Sequence, residues 1–188
     1  MTVTPLHPLL AARWSPTMFD ASHEIGGGDL ESILEAARWA PSAGNSQPWA
    51  FLVARRGDDA HRRLVPHLAG SSARWATTAS VLIANLAHRY VEGTDWDYSE
   101  FSLYDLGQAV AHMSFQAGHL GLSVRQFRAF DREALVAEFG VPEHWEVATM
   151  SAIGRVVDGT GPQVSRSRRG SEELRWPPSP QAAGPDAR

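Results

Sequence analysis

Apolar residues recur along this chain in two rhythms, and the switches between them outline its elements. Leu6, Leu9 and Leu10 fall on one side of a short first helix that ends near Arg13. A run of three glycines, Gly26 to Gly28, follows, and Asp29 is placed to cap a second helix with apolar positions at Leu30, Ile33, Leu34 and Ala37. Trp49 to Ala54 and Ser80 to Ala87 are short continuous apolar runs, the pattern of buried strands, and Asp58 to Leu68 between them has helical spacing at Leu64, Val65 and Leu68. Tyr90 to Glu100 is a polar loop carrying Trp96 and Tyr98, aromatics that either line a pocket mouth or pin the loop to the surface. From Phe101 onward Leu103, Leu106, Val110, Met113, Ala117 and Leu120 sustain a helical period for about five turns, up to Gly121. The small residues Gly107, Ala109, Ala111 and Ala117 permit close helix approach, so this helix is expected centrally or at a subunit contact. A brief extended segment from Ser123 to Phe127, a helix capped by Asp131 through Phe139, and a last strand from Val147 to Ile153 complete the pattern.

Composition narrows the classes. A chain of 188 residues with 43% apolar residues holds one sizeable core, and a net charge of -4 argues against a nucleic-acid backbone as the main partner. There are no cysteines, which excludes disulfides, thiolate nucleophiles and cysteine metal centres. No apolar stretch approaches the ~20 residues of a membrane span, and the start lacks a basic segment ahead of an apolar run, so a cytoplasmic protein without a membrane partner is expected. The eight histidines are scattered; His112 and His119 share a helix face but not a metal-ligand spacing, so no metal is expected. The triple glycine is not a nucleotide loop, because no strand feeds it and the lysine is missing. After Gly154 the chain becomes arginine- and proline-rich with few aliphatic residues, so a division into residues 1–154 and an extension 155–188 is expected. Arg166, Arg168 and Arg169 cluster there, either as a solvated basic run or as guanidiniums delivered to a phosphate.

The densest chemistry lies in Trp39-Ala-Pro-Ser-Ala-Gly-Asn-Ser-Gln-Pro-Trp49, between a helical and a strand pattern. Pro41 stops the helix and Pro48 sets up the strand, leaving Ser42, Asn45, Ser46 and Gln47 in between. Asn45 and Gln47 each present donors and an acceptor on a short stem, a wall suited to the imide or amide edge of a flat heterocycle. An ordinary turn is the alternative, since the same residues dominate turns. The chain shows no recognisable protein-borne nucleophile or acid, so an enzyme of this sequence borrows its reactive group from a cofactor.

Four blocks in order resemble the nitroreductase family of flavin enzymes: Arg13-Trp-Ser-Pro-Thr-Met-Phe19, Leu34 to Trp49, Tyr104 to Val110 with Gln116 to Leu122, and Gly121 to Asp131 with the strand ending Ala152-Ile-Gly154. The resemblance implies an α+β fold of three layers with a central mixed, mainly antiparallel sheet flanked by helices. It also implies a homodimer with FMN at the subunit interface, and NADH or NADPH as electron donor. By position Arg13 and Ser15, with Trp14 and Thr17 in the same block, meet the FMN phosphate, joined by Arg166 and Arg168. Pro41, Ser42, Ala43, Asn45 and Gln47 match the block along the flavin ring and ribityl chain, and Gln126, Phe127, Arg128 and Ala129 the segment beside its reactive edge. Thr17 replaces the usual second arginine of the opening block, and Ala129 a glycine. The activity implied is hydride transfer to a nitroaromatic or quinone. A flavin-dependent oxidase or dehydrogenase of a small metabolite, and a non-catalytic flavin-binding protein, are the alternatives.

Overall fold

The computed structural model describes residues 5–161 and 167–176. Its helices are α1 (Pro8–Ala12), α2 (Gly27–Arg38), α3 (Asp59–Leu64), α4 (Gly70–Ala76), α5 (Ser102–His119) and α6 (Arg132–Phe139), and its strands β1 (Trp49–Arg55), β2 (Val81–His88), β3 (Ser123–Phe127) and β4 (Trp145–Gly154). The strands form one sheet in the order β1-β2-β4-β3. Every neighbouring pair is antiparallel, because β4 enters between β2 and β3 and runs opposite to both. The mixed pairing expected from the resemblance is therefore not found among the described residues.

Alternation along the strands gives the sheet two apolar faces. On one, Val81, Ile83, Ala87, Val124 and Ile153 pack beneath α2 and α5 through Leu30, Ile33, Ala37, Leu106, Val110 and Met113. On the other, Ala54, Leu82, Ala84, Met150 and Ala152 meet Leu64, Ala76 and Leu135 of α3, α4 and α6. The result is the expected three-layer α+β arrangement. A bulge between Asn85 and Leu86 of β2 skips Ala148 of β4 and shifts the alternation there by one residue. Gln116 Nε2 donates to Ser32 Oγ at 2.7 Å, adding a polar tie between α5 and α2.

Local signals explain most ends. Asp58 accepts from the His61 amide at 2.7 Å and Asp131 from the Ala134 amide at 3.0 Å, each capping the helix that follows. Gly140 at φ 61° closes α6 in the left-handed conformation that favours glycine. Asp29 does not cap α2: the helix begins at Gly27, with Gly26 as its extended N-cap, and Asp29 instead places negative charge in the first turn. The segment from Asp58 to Leu68 is a helix followed by a 3-10 turn at Val65–His67, where Pro66 cannot continue an α-helical ladder. Helix α4 was not foreseen in the hydrophobic pattern. Leu6 precedes α1 rather than lying in it, and both it and Leu10 are exposed, at 60% and 40%, rather than packed into a core.

Candidate functional site

The polar wall is a strained loop held from both sides. Within residues 44–47, Gly44, Asn45 and Gln47 all have positive φ, at 58°, 56° and 49°. For a residue with a Cβ, this conformation costs about 1–2 kcal/mol, and such strain collects at ligand clamps. The loop is cross-braced by its own atoms: the amide of Gln47 donates to Ser42 Oγ at 3.0 Å, and that of Asn45 to the Ser42 carbonyl at 3.0 Å. Two outside groups fix it further. The Ala43 amide donates to Asp105 Oδ2 at 3.0 Å, and Tyr98 Oη donates to the Ser46 carbonyl at 3.3 Å. Asp105 is 2% exposed in the first turn of α5, so the wall is tied to that end of the helix. The backbone spends its bonds internally, which leaves Pro41, Ala43, Asn45 and Gln47 at the surface, with Ser42 half-buried and its hydroxyl committed to the loop.

Tyr98 is itself held by a stack of rings. Its ring lies 3.8 Å from that of His88, which also stacks with Trp145 at 4.7 Å, both at 15° between planes. Burial pushes His88 below its ordinary range, and the charge of neighbouring His144 adds to this. Tyr98 therefore pins the polar loop and braces the wall, while Trp96 is 72% exposed.

The second cluster forms where the chain leaves α1. Arg13 Nη1 donates to Ser15 Oγ at 3.2 Å. Arg13, Ser15, Ala111, Ser114, Phe115, Val124 and Gln126 line a hollow of about 310 Å³, open to solvent, and Trp14 lines a neighbouring one against Gly118 and Leu122. Gln126 reaches Ser114 Oγ at 3.4 Å. Thr17 is exposed and supplies no charge.

The segment assigned to the reactive edge divides. Gln126 points into this hollow, but the Phe127 side chain turns to the opposite sheet face and meets Trp75 edge-on at 5.0 Å, so only its backbone can serve a ligand there. Arg128 folds back over the Phe130 ring at 4.7 Å and donates to the Phe130 carbonyl at 3.3 Å. Ala129 is not in the positive-φ region, and its carbonyl is tied to Ser72 Oγ at 2.5 Å and the Ala69 amide at 3.1 Å. The alanine thus stands in place of glycine without strain. Arg166 lies outside the described residues; Arg168 is exposed and bonds the Ser167 carbonyl at 2.9 Å.

Two contributors were not singled out beforehand. Asp105 had a signal, as a carboxylate in helical register with Ala109 and Met113, both fully buried. Arg125, whose Nη1 donates to the Ser15 carbonyl at 3.2 Å, had none beyond being a cation in a strand. Among the described residues no cluster of potential ligands could hold a metal ion, and no helix is long and apolar enough to cross a membrane.

The two clusters of one chain lie apart. The wall is tied to α5 at Asp105 and the hollow at Ser114, nine residues on, or roughly 14 Å along the axis. Along this helix Leu103 and Tyr104, 42% and 69% exposed, precede Asp105; Gly107 and Ala111 lie between it and Ser114, and Phe115 follows. At the nearby end of α2, Glu35 is held down to about 2 by its bonds to Arg38 and to the indole of Trp39, itself 72% exposed.

Comparison with known proteins puts this fold in a defined class. A solved oxidoreductase containing FMN superposes with a TM-score of 0.77 at 31% identity, over 84% of this chain and 80% of that one. A provisionally assigned nitroreductase from Desulfovibrio desulfuricans, solved in complex with FMN, superposes with a TM-score of 0.73 at 27% identity, over 94% and 100% of the two chains. A Streptomyces coelicolor relative, provisionally assigned as an NADH dehydrogenase/NAD(P)H nitroreductase, is 29% identical over 152 residues, 71% of this chain and 75% of its own. The nitroreductase family profile matches residues 10–85, which span the opening block and the polar wall. The chain belongs to the nitroreductase family and is an oxidoreductase.

Proposed function

We propose that the protein is an FMN-dependent oxidoreductase that passes hydride from NADH or NADPH, through the flavin, to a small acceptor such as a nitroaromatic or quinone, and that it works as a homodimer. The observation that supports the reading is that the wall meets α5 at Asp105, in its first turn, and the hollow at Ser114, nine residues on. In a two-fold dimer packed through α5 with the helices antiparallel, the wall of one chain meets the arginine and serine end of the other. The exposed Leu103 and Tyr104 and the small Gly107 suit such a contact.

The residues fit the cofactor. Arg13 and Ser15 supply a guanidinium and a hydroxyl for a phosphate, and Gln126 supplies an amide in the same hollow. Asn45 and Gln47 of a facing chain supply uncharged donors and acceptors for a heterocycle, held ready by Asp105 and Tyr98. Bound FMN supplies a centre that accepts and returns a hydride, and the protein's part is position and field. In the proposed organisation, residues 1–154 form the flavin-binding unit, and the extension 155–188 brings Arg166 and Arg168 toward the phosphate.

Subunit complementation tests this reading. Arg13→Ala and Asn45→Ala proteins, each weak in FMN binding, are unfolded together and refolded as mixed dimers. One of the two sites in each mixed dimer is intact, so FMN binding and NAD(P)H-dependent turnover return. A mixture no better than its parents would show that the site is not shared.

A further inference from the structure

The geometry points to Arg125 as a second phosphate-binding residue, supplying from β3 the charge that Thr17 lacks; this rests on the FMN reading above. Ser15 is gripped from two directions: Arg13 Nη1 bonds its hydroxyl and Arg125 Nη1 its carbonyl, each at 3.2 Å. Arg13 approaches Ser15 from the hollow and Arg125 from the Trp75 side of β3, so the two guanidiniums flank the residue at which the anionic end of the ligand is placed. Arg128, the next arginine along the chain, is turned away onto Phe130.

The surroundings of Arg125 are those of a cation waiting for an anion. Its guanidinium lies 4.7 Å from the centre of the Trp75 ring, and its Nε is sealed from solvent without an acceptor. No carboxylate is within ion-pair reach of it among the described residues, a state it shares with Arg55, Arg56, Arg74 and Arg128. A half-buried charge is costly unless paired, and of a guanidinium's five donors the Ser15 carbonyl engages one and the sealed Nε is out of a ligand's reach, which leaves three. A phosphate monoester carries up to two negative charges and three acceptor oxygens, which meets that deficit. The indole and the carbonyl also hold the side chain in place before the ligand arrives, so little rotamer entropy is lost on binding.

The test separates the phosphate from the rest of the ligand. Full-length protein stripped of flavin is titrated with FMN and with riboflavin, which lacks the phosphate, and binding is followed by fluorescence. Wild-type protein is expected to prefer FMN. Arg125→Gln should lose about tenfold or more of FMN affinity while riboflavin affinity stays within about twofold, and Arg125→Lys should fall between. Adding Thr17→Arg should raise FMN affinity more in the Arg125→Gln protein than in the wild type, a non-additivity that a merely structural role for Arg125 would not produce. Equal losses for both flavins, or no loss for either, would overturn the assignment and leave Arg125 as a clip on the Ser15 backbone. Wild-type protein that binds neither flavin, or binds both equally, would overturn the FMN reading itself.

Discussion

Replacing Asp105 by alanine tests whether the wall is held in place from α5. The carboxylate is 2% exposed and accepts the Ala43 amide at 3.0 Å across 62 residues of chain. A hydrogen bond to a charged group contributes about 1.5–3 kcal/mol, and an acidic residue in the first turn of a helix adds about 0.3–1 kcal/mol. Ala43 is exposed, so water can replace the lost acceptor, which puts the destabilisation near the lower end, about 2 kcal/mol. For a chain of this size, that corresponds to a fall in Tm of roughly 4–8 °C. Asp105→Asn keeps an acceptor oxygen and should lose less. Freed from α5, the strained loop relaxes, and flavin affinity should drop several-fold in the alanine variant. Thermal melts, FMN titration and hydrogen exchange of the peptide carrying Ala43 follow the three effects. A variant that melts within a degree of the parent, with unchanged exchange at Ala43, would refute the view that Asp105 holds the wall.

Gln47→Gly removes a Cβ from a residue at φ 49°, relieving about 1–2 kcal/mol of strain while adding about 0.5–1 kcal/mol of unfolded-state entropy. Its Tm should therefore stay close to the parent's while FMN affinity falls; unchanged affinity would make Gln47 a turn residue only. Arg13→Ala should weaken FMN binding by about tenfold or more, with little change for riboflavin, and an unchanged FMN dissociation constant would remove Arg13 from the phosphate site. Burial pushes His61 and His88 below their ordinary values, so the folded state binds fewer protons than the unfolded one at mildly acid pH. Their contribution to stability is complete above the unfolded value of about 6.5 and is lost as pH falls below it toward the folded values. Melts from pH 7.5 to 5.5 should show a declining Tm, and His61→Gln should flatten the decline; an identical slope would discount His61.

Much of the molecule is legible along the chain because its causes are local. The period of α5, the apolar runs of β1 and β2, and the caps Asp58 and Asp131 each follow from residues a few positions apart. The wall from Ser42 to Gln47 is legible for the same reason: two prolines and a glycine confine it to a few residues, and Asn45 and Gln47 stay at the surface. Helix α4 escaped because Gly70-Ser-Ser at its start reads as a loop, and its contacts to Ala129 across 57 residues help to decide it. For Phe127 the family block concerns the backbone alone, and strand alternation sends the ring into the core.

The amino-acid order by itself determined most of the elements and the uncharged polar loop from Ser42 to Gln47, and it pointed to Arg13 and Ser15 as the proposed anionic end. Only the tertiary structure decided that Asp105 holds the wall, that Arg125 stands beside Ser15, and that wall and hollow meet α5 nine residues apart. The reason is distance along the chain: these contacts join residues 62 and 110 positions apart, and no local periodicity encodes which distant side chains the packing of a sheet between two helical layers will bring together.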